Sequence, residues 1–179
     1  MVVGSTGTLY ITDTGNQRLR RVPWVAVPAT GTVGTFVNVR SALLLEIYGE
    51  SLDEGAEIHQ YTDNGGDHQR WQLTVVDQDS GHDVYTITDV GSGKVIEVVE
   101  AQTQAGAIAV QRTYGGEDAH HQQWPLIPIG PDTGGANVYK IMNRNSGLVL
   151  DAETDTATVI KQYGSWDDDG RQRWRWIHR

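Results

Sequence analysis

One tripeptide returns three times and limits what this chain can fold into: Gln69-Arg70-Trp71, Gln122-Gln123-Trp124 and Gln172-Arg173-Trp174. The tryptophans stand about fifty residues apart, and each opens a short apolar stretch. Two further motifs keep the same register. Upstream of each tryptophan lies an aliphatic run carrying an acid, Leu43-Leu44-Leu45-Glu46-Ile47, Lys94-Val95-Ile96-Glu97-Val98 and Leu148-Val149-Leu150-Asp151, and between acid and tripeptide sits a glutamine, Gln60, Gln111 or Gln162. A fixed period of this length is the mark of an architecture built from units that cannot bury their apolar faces alone.

From Thr32 onward, short β-prone segments alternate with Gly, Asn, Asp and Ser, and no helical period survives over a helix length. Strand-like openings at 34–39, 84–90 and 138–143 divide this part into repeats of about 32–78, 79–130 and 131–179. Four strands in each of three copies predict an all-β chain. Equal copies closing on a pseudo-threefold axis, as a β-trefoil, remove the exposed edges that a lone four-stranded unit would present. On a strand, Gln and Trp two residues apart share a face. Trp71, Trp124 and Trp174 are therefore expected in the common core, with the glutamine amides satisfying backbone groups at the turns.

Residues 1–31 read differently. The stretch from Gly7 to Val22 alternates as a strand, an Asp/Gly/Asn turn and a second strand. It resembles a blade fragment of an NHL-repeat propeller, and reads either as the stub of a larger multidomain protein or as a hairpin packed against the main domain. Pro23 and Pro28 then suggest a linker. With 179 residues and no cysteine, the chain can bury a real core but can form neither disulfides nor thiolate metal sites. A formal net charge of −9 argues against nucleic acid as partner. No stretch approaches a membrane span and no signal peptide is visible, so the sequence leaves the compartment undetermined; an extracellular place follows if the chain is part of a larger secreted protein.

Three Gln-x-Trp tripeptides in register, with Asp63-Asn64-Gly65-Gly66-Asp67-His68 before the first and Asn143-Arg144-Asn145-Ser146-Gly147 before the third acid run, resemble the ricin-type β-trefoil lectins, and among them the cysteine-free bacterial and fungal members. The resemblance covers Thr32 to Arg179. It implies sugar binding by one shallow pocket per repeat. In each, the acid would accept hydrogen bonds from neighbouring hydroxyls, an aromatic ring would stack on the sugar's apolar face, and polar residues between them would complete the site. Carried over residue by residue, the third copy offers Asp151, with Tyr163 or Trp166 as platform and Gln162, Asp167 and Gln172 in support. The first offers Glu46, Tyr61, Asn64 and Gln69. The second offers Glu97, Tyr114 and Gln122, with Arg112 where the first has Tyr61. The acid is one methylene longer in the first two copies, and His68, His121 and Arg171 stand where the family usually has asparagine, so the third copy ranks first and the second last. The partners implied are galactose-, mannose- or xylose-type glycans.

Other chemistry finds little support. Asp167-Asp168-Asp169-Gly170 lacks the alternate acids and later glutamate of a calcium loop. His120-His121 lacks a third metal ligand at workable spacing, so no metal and no cofactor is expected. No nucleophile, base and oxyanion set can be assembled, which argues against an enzyme. The reading that competes with a carbohydrate-binding module is a trefoil that has lost its sites and serves as a protein-interaction or inhibitory domain.

Overall fold

A computed structural model describes residues 2–3, 8–13, 18–23, 27–79, 81–165 and 169–179. Strands β1 (Val2–Val3), β2 (Thr8–Asp13) and β3 (Arg18–Pro23) form a separate antiparallel sheet in which β2 and β3 make a hairpin, Thr8 facing Pro23 and Asp13 facing Arg18. From Val33 onward twelve strands follow among the described residues, four in each repeat. They are β4 (Val33–Asn38), β5 (Leu44–Ile47), β6 (Ile58–Tyr61) and β7 (Trp71–Asp79), then β8 (His82–Asp89), β9 (Val95–Val98), β10 (Ala109–Arg112) and β11 (Trp124–Pro131), and last β12 (Asn137–Ile141), β13 (Val149–Asp151), β14 (Lys161–Tyr163) and β15 (Trp174–His178). No α-helix occurs among them, and no described helix is long and apolar enough to cross a membrane.

The outer strands of the repeats pair head to tail into a closed ring. β4 pairs β7, β7 pairs β8, β8 pairs β11, β11 pairs β12, β12 pairs β15, and β15 returns to β4. Closure leaves that six-stranded barrel no open edge. The inner strands form three hairpins, β5–β6, β9–β10 and β13–β14, joined to one another by the bridges Glu57–Val110, His59–Val159 and Ile108–Lys161. The architecture is a β-trefoil.

Each of the three recurring motifs has a place in this frame. The tryptophans are fully buried, and each indole Nε1–H donates to the carbonyl of the residue before the acid, Leu45, Ile96 or Leu150, at 3.0, 2.9 and 3.4 Å. Barrel and cap are thereby joined within each repeat. The mid-repeat glutamines join different repeats. Gln60 Nε2 donates to the carbonyls of Thr154 and Thr156 in the third repeat, Gln111 to Ser51 and Asp53 in the first, and Gln162 to Gln102 and Gln104 in the second. The Oε1 of each accepts from a serine of its own repeat: Ser41, Ser92 or Ser146.

The pseudo-threefold axis is imperfect in two informative places. Where the second and third repeats bury Tyr85 and Tyr139, the first has Gly34. A Cβ there would meet the Ile177 carbonyl at 2.5 Å and the Trp176 ring at 2.7 Å, so glycine is what admits Trp176 onto Phe36, centroids 4.7 Å apart. Burial also pushes the Tyr139 phenol up to about 12.

The second exception is Asp89, which occupies the position of Asn38 and Asn143. Those asparagines accept turn N–H groups with Oδ1 and donate Nδ2 to the carbonyls of Arg171 and His121, each at 2.9 Å. Asp89 keeps the first function, accepting from the Ser92 N–H, but has no N–H to give, and its buried Oδ1 has no hydrogen-bond partner among the described residues. Burial raises its carboxyl pKa, more than the Ser92 hydrogen bond lowers it. A folded-state pKa above the unfolded one means that the native state holds the proton more tightly. The stability penalty is therefore complete above the folded pKa and is relieved as pH falls toward the unfolded value. Asp89→Asn, restoring the missing donor, is expected to raise stability by about 1–2 kcal/mol at neutral pH and to flatten this pH dependence. Urea denaturation across the acid range checks both.

Candidate functional site

The acids Glu46, Glu97 and Asp151 sit on the middle hairpins and are almost fully buried. Each is held from behind by the glutamine of its own tripeptide: Gln69 Nε2 lies 2.8 Å from Glu46 Oε2, Gln122 Nε2 2.7 Å from Glu97 Oε2, and Gln172 Nε2 2.9 Å from Asp151 Oδ2. The same amides donate to Thr62, Thr113 and Gly164 carbonyls. These three glutamines thus orient the acids from beneath. Around that common base the three repeats diverge.

In the first repeat the acid opens into a cleft of about 590 Å³. Glu46 stands directly across from His59 in the β5–β6 hairpin, and Tyr61, two residues on, shares the His59 face. After β5 the backbone turns left-handed at Gly49 (φ 65°) and Glu50 (φ 57°), and the ring of Tyr48 stacks on His59 at 4.4 Å and 27°. Tyr48 is 60% exposed and Tyr61 48%. The 62–68 segment supplies the other wall. Its Asn64 N–H donates to Gln69 Oε1, and the Asn64 amide lies 3.3 Å from His68 Nε2, whose ring reaches Glu46 Oε2 at 3.5 Å and Glu50 at 3.9 Å. Ala157 closes the rim from the third repeat. All hydrogen bonds and ionic contacts of the Glu46 carboxylate among the described residues fall on Oε2. Its other oxygen, Oε1, is left to the cleft.

The second repeat is filled by its own side chains. Arg112 Nε lies 3.2 Å from Glu97 Oε1, and His121 Nε2 lies 3.4 Å from Oε2. Val99 and Val110 replace Tyr48 and His59, so there is no stacked ring pair. Tyr114 is half-buried, its hydroxyl accepting from Gln123 Nε2 at 3.3 Å.

In the third repeat Tyr163, the counterpart of Tyr61, donates its hydroxyl to Glu153, the counterpart of Tyr48, and Lys161 pairs with the same carboxylate at 2.7 Å. The Lys161 hydrogen bond and then that of Tyr163 hold the Glu153 carboxyl below its usual range; the same bonds raise the Lys161 and Tyr163 values. Gln162 lies outside any site here, because its amide is spent on the second repeat's backbone and on Ser146. Trp166 and Asp167 lie outside the described residues. No cluster of three metal-ligating side chains occurs among the described residues, and Asp169 pairs with Arg40 and Arg171.

The structure thus brings Glu46, Tyr61 and Asn64 to one cleft and places Gln69 behind it. The sequence reading missed Tyr48, Glu50, His59 and His68 as cleft residues. A signal for Tyr48 and His59 was present: between repeats the hairpin positions change from aromatic (Tyr48, His59) to aliphatic (Val99, Val110) to charged (Glu153, Lys161). Positions tied to a shared core do not vary so freely.

The sequence matches the model of the ricin-type beta-trefoil lectin domain-like family in overlapping segments, 16–112, 75–163 and 120–179. Among solved structures, the designed threefold-symmetric protein ThreeFoil is similar over 81% of this chain and 97% of its own, at 33% identity and a TM-score of 0.68. The exo-beta-1,3-galactanase 1,3Gal43A from Clostridium thermocellum is similar over 86% of this chain and 31% of its own, at 29% identity and a TM-score of 0.68. The Rhizoctonia solani agglutinin, at 22% identity, covers 86% of this chain and 99% of its own with the same TM-score, a likeness of fold. No curated protein matches the chain.

Proposed function

The chain belongs to the ricin-type β-trefoil lectin domain-like family, whose class of activity is carbohydrate binding, and from that premise we propose that it binds glycans through the cleft of its first repeat. The observation that carries this reading is the combination found in that cleft: a carboxylate oxygen of the largely buried Glu46 with no protein partner among the described residues, beside two exposed tyrosine rings. A carboxylate–hydroxyl hydrogen bond contributes about 1.5–3 kcal/mol. A pre-positioned ring adds contact area at little entropic cost. Together they support an affinity near millimolar, about −4 kcal/mol, for a single site. The 31% share of the galactanase that this chain resembles supports a targeting role, in which the trefoil carries a larger protein to its glycan.

A glycan array followed by calorimetric titration of the best ligand tests the assignment. Glu46→Gln and Tyr48→Ala are each expected to weaken binding by about tenfold or more, the equivalent of one lost charge-assisted hydrogen bond or one lost stacking face. Asp151→Asn should leave binding within about twofold of the parent. Unchanged affinity in folded Glu46→Gln would remove the first repeat from consideration, and loss in Asp151→Asn would move the site to the third.

A further inference from the structure

We propose that the first-repeat cleft selects a saccharide bearing a protonated amine, seated on Glu46 Oε1 at the place where the second repeat seats its own Arg112. This rests on the glycan reading above and names the ligand class of the same site.

The three repeats act as internal controls for one another. In the second, the acid's outer oxygen is taken by a guanidinium, Arg112 Nε at 3.2 Å from Glu97 Oε1. In the third, the hairpin carries Lys161 on Glu153. In the first, the counterparts of Arg112 and Lys161 are Tyr61 and His59, and Glu46 Oε1 has no cation or hydrogen-bond donor upon it among the described residues. Glu46 is only 5% exposed as a residue, and it lines a cavity whose lining holds no lysine or arginine. Gln69 and His68 both meet Oε2, so the charge of this largely buried carboxylate is only partly compensated, and an entering cation at Oε1 completes the compensation where a neutral hydroxyl does less. Glu50 on the rim adds a second negative charge, and the exposed faces of Tyr48 and Tyr61 suit a cation as well as a sugar ring. The net charge of −9 favours approach of a cationic ligand. A 2-amino-2-deoxy sugar combines the amine with the apolar ring face that the tyrosines require.

Calorimetric titration of the full chain near neutral pH, with trisaccharides of one linkage carrying free amines, acetylated amines or only hydroxyls, tests the inference. The free-amine trimer is expected to bind at least about tenfold more tightly than the other two, and the advantage should shrink with added salt. It should disappear in Glu46→Gln and in Tyr61→Arg, which reproduces the second repeat's arrangement; a cooperative thermal transition in each variant establishes folding. Equal or tighter binding of a neutral trimer would overturn the amine preference while leaving the glycan reading intact. Binding of none of the three, or of any array glycan, would overturn both. A lysine tripeptide that binds as tightly as the free-amine trimer would overturn the saccharide as occupant.

Discussion

Trp124→Ala lowers the stability of the chain by about 3–5 kcal/mol, the cost of deleting a large aromatic from a packed core. The indole is fully buried among the side chains that fill the barrel, and its N–H reaches the Ile96 carbonyl at 2.9 Å, so the change removes packing and a barrel-to-cap hydrogen bond together. Against a typical total of about 5–15 kcal/mol, that loss leaves a marginal protein. The phenylalanine series separates the two contributions. Trp71→Phe and Trp124→Phe each lose a well-formed bond, at 3.0 and 2.9 Å, whereas the Trp174 bond is 3.4 Å long and worth less. Trp174→Phe should therefore be the mildest of the three. Urea midpoints at constant m-value read the order directly, and equal losses in all three would show that packing alone matters.

Gln111→Leu is expected to cost about 2–4 kcal/mol although its volume hardly changes. Three hydrogen bonds go: the Ser92 hydroxyl to Oε1 at 2.7 Å, and Nε2 to the Ser51 and Asp53 carbonyls at 2.8 and 2.9 Å. Groups left buried without partners cost about 1–3 kcal/mol each, and solvent reaching the exposed Asp53 turn reduces the total. The change also reaches the proposed glycan cleft. Gln111 belongs to the second repeat, but the segment it holds follows directly on the Tyr48–Glu50 turn that forms one wall of the first-repeat cleft. Gln111→Leu should accordingly speed amide exchange in residues 51–55 and weaken binding of the array ligand, while the corresponding Gln162→Leu, which secures residues 102–104, should destabilise comparably and leave the cleft's affinity alone. Equal effects of the two on binding would argue against a local connection.

Much of the fold is legible in residues. The Gln-x-Trp tripeptides mark where each repeat returns to the barrel, and the aliphatic-acid runs mark the middle hairpins, because burial in a common core imposes the same residue types at the same spacing. Glu46, Tyr61 and Asn64 were pointed to by the resemblance to the ricin-type lectins, at their offsets from those motifs. The glutamines were harder. Gln60, Gln111 and Gln162 recur as regularly as any site residue, yet they bind the backbone of another repeat, a contact about sixty or ninety residues away that no local pattern reveals. Tyr48, Glu50 and His59 escaped for the opposite reason: they do not recur, and the candidate site they line arises where the repeats differ; His68 recurs as His121, each beside the acid of its own repeat.

The sequence alone thus determined the number of repeats, the place of the three tryptophans in their common core and the trefoil that joins them, since a period and its recurring residues are properties of order along the chain. Which acid is left open to the surface cleft was decided by tertiary structure. Glu46 and Glu97 are the same residue in the same motif. Only their surroundings, a tyrosine that turns outward in one repeat and an arginine that folds back onto the carboxylate in the other, make one a candidate for binding and the other a closed ion pair.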